Sequence, residues 1–251
     1  MDINNSSAKK TIGILLQLAT KPYEYSALDL SSLLGITRST VHRNLNELKA
    51  ELLVLQNPLT KKYSLGPTAY HIGSAYLSTF SQMAQIRSLL ARATENVGQT
   101  IGFSKLVGER VINLIQIETY QSIRIGRAEG SYYPINCGAY GKCIMAFFEP
   151  LQRLEELVRE RPLKAYTKKT ITNPDELLLE YSSIRKRGYA ISDEELSEGL
   201  YGIGAPVFDS KGQIFGSVAT AFIKGTVDSG TLKNLILEIK ENAAEVSRYI
   251  V

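Results

Sequence analysis

The chain has 251 residues, 44% of them hydrophobic and 22% charged, which is typical of a folded protein and long enough for two domains. Its net charge of +4 is too small to indicate nucleic-acid binding by itself, although the first 70 residues hold eight Lys and Arg against five Asp and Glu. No apolar run approaches the roughly 18 residues of a membrane span, and the N-terminus lacks a signal-peptide core, so we expect a cytoplasmic protein.

Residues 1–67 predict a small helical domain that ends in a β-hairpin. Ser26 and Asp29 form a capping-box pattern with Asp in place of Glu, Gly35 supplies a turn, and Thr37 can cap the helix that follows. The predicted helices span 8–19, 26–34 and 37–51, and the predicted hairpin strands span 52–56 and 62–65.

Residues 68–80 predict a linker helix, and residues 81–251 predict a larger α+β domain. An Asn173 cap opens one of its helices and Gly188 ends it. Because short turns join the strands and helices lie before, between and after them, we predict an antiparallel sheet. The predicted helices span 68–78, 81–97, 139–148, 150–159, 173–188 and 228–249, and the strands span 100–107, 110–118, 122–127, 200–208 and 213–222.

The third helix has an apolar and a polar face. Val41, Leu45 and Leu48 recur at helical spacing, so they predict the buried face. A helix that enters the major groove needs long hydrogen-bond donors on its other face, where Arg43 can bind guanine and Asn46 can bind adenine. The DNA-contact candidates, including the hairpin lysines for phosphate contacts, are Arg38, Ser39, Thr40, His42, Arg43, Asn46, Lys61 and Lys62. The alternative is an ordinary solvated helix face.

Enzyme motifs are incomplete in the larger domain. A phosphate-binding loop ending at Gly141-Lys142 would need glycine at Asn136 and a hydroxyl at Cys143, and Pro206 interrupts a dinucleotide fingerprint. Two cysteines and two histidines have no metal-ligand spacing, so we predict no metal or cofactor. Cys137 and Cys143 are interpreted as buried small side chains, and Asp193–Glu195 and Lys168-Lys169 as solvated surface groups.

Several motifs stand in order along nearly the whole chain: Ser39–Arg43 with Leu45 and Leu48, Tyr63–Gly66, Gly141-Lys142, Arg187–Tyr189, Asp193–Glu195, Gly199 and Ala205–Asp209. Together they resemble the motifs of IclR-type transcription regulators. The resemblance implies an N-terminal winged helix-turn-helix, a linker, and a GAF-like α/β effector-binding domain with an antiparallel sheet. It also implies homodimers that can pair into tetramers.

Residues 137–141 predict part of a ligand site, because they lack bulk except at Tyr140 and open a helix whose free N–H groups attract an anion. The resemblance implies an effector site at this turn. Gly202, Ala219 and Ala221 offer no hydroxyl group, so we expect an organic acid with an apolar or aromatic body, although these small residues can instead serve sheet–helix packing. The effector-site candidates that the resemblance implies, together with Gly141 of the turn, are Ile125, Ala139, Tyr140, Gly141, Ser192 or Asp193, Gly202, Ala219 and Ala221.

These observations predict a ligand-responsive, DNA-binding transcription regulator without enzymatic activity. We expect a repressor rather than an activator. Its expected partners are double-stranded operator DNA, a small-molecule effector and a second copy of the chain, with no membrane partner. The alternative is a small-molecule enzyme or binding protein whose helix-turn-helix serves assembly.

Overall fold

The computed structural model describes residues 6–79, 81–119 and 125–250. The chain divides into two compact units, Met1–Ser81 and Gln82–Val251, and each is described by itself. In these described ranges, the helices are either too short or too polar to cross a membrane.

The first unit follows the predicted order of helices and hairpin strands, with boundaries shifted by one or two residues. Ser26 and Asp29 complete a reciprocal capping box, Gly35 adopts a left-handed conformation with φ 64°, and Thr37 accepts a hydrogen bond from the N–H group of Thr40. The elements are α1 (Ser7–Leu18), α2 (Ala27–Leu34), α3 (Arg38–Ala50), β1 (Val54–Gln56), β2 (Tyr63–Leu65) and α4 (Pro67–Ser78).

The core of the first unit joins the helices to the hairpin. Burial of apolar surface stabilises this arrangement by about 25 cal/mol for each Å² removed from water. The buried side chains include Ile14 and Leu18 of α1, Leu30 of α2, Val41, Leu45 and Leu48 of α3, Val54 of β1 and Tyr63 of β2.

The second unit is built on a six-stranded antiparallel sheet with the strand order β5-β4-β3-β8-β7-β6. Its strands are β3 (Thr100–Val107), β4 (Arg110–Ile117), β5 (Tyr132–Tyr133), β6 (Ala190–Asp193), β7 (Leu200–Phe208) and β8 (Ile214–Ile223). Its helices are α5 (Met83–Val97), α6 (Ala139–Ala146), α7 (Leu151–Glu160), α8 (Pro174–Arg187) and α9 (Ser229–Ser247).

Helices cover both faces of this sheet. On one face, α5 and α9 pack against β3, β4, β7 and β8 around a core that includes Phe103 and Ile239. On the other face, α6 lies against the central strands, and α8 with α7 packs outside α6. Every residue of α6 is buried, because this helix lies between the sheet and a second layer of helices.

The two edge strands differ from the sequence prediction. Residues 122–124 of the predicted strand 122–127 lie outside the described residues, and residues 125–127 form no strand. The edge beside β4 is instead β5, a two-residue strand. The other edge, β6, was missed because four residues between a helix and a turn give too short an alternation to recognise.

Candidate DNA interface and ligand cavity

The polar face of α3 is exposed as the sequence predicts. On the opposite face of α3, Val41, Leu45 and Leu48 are buried. Among the described residues, neither Arg38 nor Arg43 forms an ion pair, so both guanidinium groups are available to a partner. The exposed candidates on α3 are Arg38, Ser39, His42, Arg43 and Asn46.

Thr40 differs from these residues because it is half-buried, and its Oγ1 lies 2.9 Å from Oγ1 of the capping residue Thr37. Asn44, which the sequence analysis did not single out, is fully buried, and neither of its amide atoms has a hydrogen-bond partner in the described structure. Thr40 and Asn44 are therefore less accessible to DNA than the exposed polar residues of α3.

The hairpin of β1 and β2, here called the wing, presents Lys61 and Lys62 to solvent. Asn57 Oδ1 orders the turn by accepting hydrogen bonds from the N–H groups of Leu59 at 2.9 Å and Thr60 at 3.1 Å. Lys49 Nζ donates to Gln56 Oε1 at 3.0 Å and so ties the wing to α3, and Gln56 Nε2 donates to the Lys61 carbonyl at 3.2 Å within the wing. The wing lysines are thus held near the C-terminal end of α3.

The second unit contains a cavity of about 330 Å³ beside the N-terminus of α6. Six of the nine effector-site candidates line it: Ile125, Ala139, Tyr140, Ser192, Gly202 and Ala221. The other lining residues are Gln116, Gly126, Arg127, Tyr133, Gly138, Leu196, Ser197, Leu200, Tyr201 and Thr220. Residues distant in sequence therefore meet at one concave site.

The other three candidates do not line the cavity. A Cβ atom at Gly141 would lie 1.9 Å from the Pro134 carbonyl oxygen, so this glycine is required for packing. Ala219 is fully buried beneath α6. Asp193 faces Lys224 at 2.7 Å and Lys169 at 3.1 Å, which turns its carboxylate to the surface. Ala219, one of the three small residues for which packing was the alternative, therefore lies in a packed position, and Gly141 is a further one.

Small residues let α6 approach the sheet closely. A Cβ atom at Gly102 would lie 2.5 Å from Tyr140 Oη, and one at Gly204 would lie 2.8 Å from the Ala139 carbonyl oxygen. Tyr140 Oη donates a hydrogen bond to the Ala219 carbonyl at 2.9 Å. Burial raises the pKa of Tyr140 well above its ordinary value. Tyr140 thus lines the cavity as a neutral side chain, and its hydroxyl group already donates its hydrogen bond to the Ala219 carbonyl.

Arg127 is the one charged side chain among the residues that line this cavity. It is half-buried, and within the described part of the chain it forms no ion pair. Asn113 Nδ2 donates to the Arg127 carbonyl at 2.7 Å and thereby ties this segment to β4. Arg127 could not be predicted from the sequence, because one arginine in an irregular segment gives no local signal.

Asp193, Glu194, Glu195 and Lys169, interpreted from the sequence as solvated groups, are paired, whereas Lys168 is exposed as expected. Lys142 Nζ lies 2.5 Å from Glu195 Oε1 and 3.0 Å from Glu180 Oε1, with 1% of the lysine side chain exposed. Burial raises the pKa of Glu195, although Lys142 opposes the shift. At the surface, hydrogen bonds from Lys169 and Lys224 lower the pKa of Glu194 to about 2.

The cysteines have the environment expected of small buried side chains. Desolvation by burial raises the pKa of both Cys137 and Cys143 to about 12, which disfavours the nucleophilic thiolate. Across residues 6–79, 81–119 and 125–250, no group of three His, Cys, Asp or Glu side chains could hold a metal ion.

Comparisons with known proteins agree with this architecture. The model of the IclR helix-turn-helix domain matches residues 7–58, and the model of the bacterial transcriptional regulator IclR C-terminal domain matches residues 74–248. The chain is 31% identical over 219 residues to the HTH-type transcriptional regulator BhcR of Paracoccus denitrificans, covering 87% of this chain and 78% of the relative. It is 25% identical over 215 residues to the transcriptional repressor IclR of Escherichia coli, covering 85% and 78%.

Two solved structures share the fold. An IclR transcriptional regulator from Alicyclobacillus acidocaldarius has a TM-score of 0.83 at 25% identity, over 97% of this chain and 98% of the other. An IclR homologue from Microbacterium hydrocarbonoxydans, complexed with 4-hydroxybenzoate, has a TM-score of 0.79 at 17% identity, over 98% and 99%.

The matching models and relatives describe transcriptional regulators and not enzymes, so the enzyme alternative falls away. The two matching family models together cover most of the first unit and nearly all of the second. The chain belongs to the IclR family of bacterial transcriptional regulators and is a DNA-binding regulator.

Proposed function

We propose that this regulator represses transcription and that a small organic acid with an apolar or aromatic body controls it by binding in the cavity. The observation that carries the ligand class is the composition of the cavity walls. Apolar and aromatic side chains outnumber the polar ones, Gln116, Ser192, Ser197 and Thr220, and Arg127 is the single charged group in the lining. A volume of about 330 Å³ suits a small ligand.

Two parts of the cavity suit a carboxylate. The guanidinium group of Arg127 can bind both carboxylate oxygens. The first-turn N–H groups of α6, which begins at Ala139, have no partner within the helix. The relative complexed with 4-hydroxybenzoate gives this ligand class further support. Repression is supported by the relative named a transcriptional repressor.

A thermal-shift experiment on the full chain tests the ligand class. We expect aromatic carboxylic acids to raise Tm more than the corresponding amides, because only the acids offer an anion to Arg127. Arg127→Gln should weaken acid binding by about 1.5–3 kcal/mol, the range for a charged hydrogen bond. The exposed Arg92, which does not line the cavity, supplies the control Arg92→Gln. Equal Tm responses of the parent and Arg127→Gln to the acids would contradict the proposal.

We also propose that α3 enters the major groove of DNA. Arg43 and Asn46 contact base edges, Arg38, Ser39, Thr40 and His42 lie beside them, and Lys61 and Lys62 of the wing contact phosphates. The exposed polar face and the unpaired guanidinium group of Arg43 support this assignment. Arg43→Ala should cost about 1–3 kcal/mol on a duplex selected by the parent, measured by electrophoretic mobility shift, with little loss on random DNA. Parent-like affinity for the selected duplex would refute the assignment.

We further propose that the regulator binds DNA as a homodimer, which can pair into a tetramer. Helix α4 has no buried residue, and it exposes 80% of Tyr70 and 57% of Ile72. Exposed apolar side chains on a helix without a buried face favour contact with a second copy. Two copies would place two α3 helices on the half-sites of a palindromic operator. Sedimentation equilibrium of the parent and of Tyr70→Ser/Ile72→Ser tests this, and equal monomer content in both would contradict it.

A further inference from the structure

A basic groove lies beside the N-terminal turn of α3, and Thr40 is the one lining residue that it shares with the DNA contacts proposed above. Its volume is about 450 Å³. Among the described residues, its lining includes Lys9 and Lys10 and no Asp or Glu, so the positive charge of Lys10 in particular favours an anionic partner. The groove is lined by Lys9, Lys10 and Gly13 of α1, by Leu34, Gly35, Ile36 and Thr37 of the turn, and by Thr40 of α3.

Helix α1 holds these lysines at a fixed place beside α3. Ile14 and Leu18 anchor α1 in the core of the first unit. A Cβ atom at Gly13 would lie 3.9 Å from Leu34 Cδ2, so α1 packs directly against the end of α2. Lys10 is half-buried, and among the residues that the structure describes it forms no ion pair. Its charge is therefore positioned but not neutralised.

The groove and the wing lie at opposite ends of the reading helix. The wing is tied to the C-terminal end of α3 through Lys49 and Gln56. The groove lies at the N-terminal end, where Thr37 caps the helix. A helix of 13 residues is about 20 Å long, and the major groove of DNA is about 12 Å wide. Basic groups at both ends of α3 can therefore reach the phosphate backbones on both sides of that groove.

We propose that Lys9 and Lys10 bind the phosphodiester backbone on the side of the major groove opposite to the wing. The proposal rests on the proposed placement of α3 in that groove. Phosphate contacts of this kind fix the register of the protein on DNA without reading sequence. Lys9 and Lys10 therefore contribute to binding on every duplex, whereas Arg43 contributes to discrimination between duplexes.

The test measures how binding of the full chain to DNA depends on salt. Parent, Lys9→Gln, Lys10→Gln and the double variant are titrated with a fluorescein-labelled random-sequence duplex from 50 to 300 mM KCl. Lys21→Gln is the matched control, because Lys21 is exposed and lies just beyond the opposite end of α1. Circular dichroism and thermal unfolding establish that each variant is folded.

Each lost phosphate contact should lower the slope of log K against log [salt] by about 0.9 and weaken binding about eightfold at 0.1 M salt. The double variant should show twice the change in slope, and Lys21→Gln should retain the parent slope. The ratio of affinities for selected and random duplexes should stay at the parent value in the lysine variants. A parent-like slope in the double variant, or an equal loss of slope in Lys21→Gln, would overturn the proposal.

Arg43→Ala separates this proposal from the proposed reading role of α3. If Arg43→Ala leaves the selected-to-random ratio unchanged while the lysine variants lower the slope, the reading assignment fails and the phosphate contact stands. If Arg43→Ala lowers the ratio while the lysine variants keep the parent slope, the phosphate contact fails and the reading assignment stands.

Discussion

Charged side chains in the two units have opposite environments. In the first unit, Arg38 and Arg43 lie on the exposed face of α3, and neither forms an ion pair with a described residue. In the second unit, Lys142 is buried between two carboxylates. Lys169 and Lys224 both pair with the carboxylate of Glu194. Unpaired charges are available to a partner, whereas paired charges maintain the fold.

The pairing in the second unit also positions the cavity. Lys142 is one helical turn from the residues of α6 that line the cavity, and Glu195 directly precedes Leu196, which also lines it. The hydroxyl groups of Thr167 and Thr170 donate to the carbonyls of Glu194 at 2.7 Å and Glu195 at 2.6 Å. The ion pair between Lys142 and Glu195 thus connects α6 to the segment that contains Leu196, and both line the cavity.

The largest expected effect comes from removing the buried cation. Lys142→Met leaves Glu195 and Glu180 without their buried partner, so it should lower the free energy of unfolding by about 3–5 kcal/mol. Urea denaturation measures this change. Lys168→Met is the control, because Lys168 is exposed and the effect should stay within about 0.5 kcal/mol. Parent-like stability of Lys142→Met would mean that the paired charges do not maintain the second unit.

A smaller effect separates packing from binding at the start of α6. Gly141→Ala places a Cβ atom against the Pro134 carbonyl and should destabilise the protein by about 1–3 kcal/mol. Gly73→Ala is the matched control: Gly73 also lies in a helix, nothing lies within 4 Å of its added Cβ, and alanine favours the helix. Thermal unfolding compares the two. Equal stability of both variants would contradict the packing role of Gly141.

The smallest expected effect concerns the surface carboxylate Glu194. Lys169 and Lys224 lower its pKa from 4.5 to about 2, so the folded state binds its proton less readily than the unfolded state does. The stabilisation is therefore fully present above about pH 4.5 and is lost as pH falls toward 2. The Tm difference between the parent and Glu194→Gln should shrink between pH 6 and pH 3. A difference that is constant across this range would contradict the assignment.

The first unit could be predicted closely because its signals are local. Ser26 and Asp29 meet three residues apart, Thr37 caps the helix it precedes, and the positions of Val41 and Leu45 follow from helical spacing. Each signal depends on neighbours within one helical turn. The exposed face of α3 therefore followed from the same periodicity that defined its buried face.

The cavity was only partly predictable. The candidates Ala139 and Tyr140 line it, but Ala219 packs beneath α6, and Arg127 enters from a segment without a recognisable pattern. The local sequence around Ala219 and around Arg127 does not indicate where either side chain lies. The side on which Ala219 lies depends on pairing between strands that are distant in the chain, and Arg127 is held by the hydrogen bond from Asn113 to its carbonyl.

By itself, the sequence determined the capped helices, the glycine turn, the polar face of α3 and membership of the regulator family, because these depend on residue order and short spacings. Only the tertiary structure decided which small residues serve packing, which charges are paired and which arginine enters the cavity. Lys142 and Glu195 are 53 positions apart, and their contact exists because α6 packs between the sheet and α8. Burial and long-range pairing depend on the whole fold, so no local pattern can contain them.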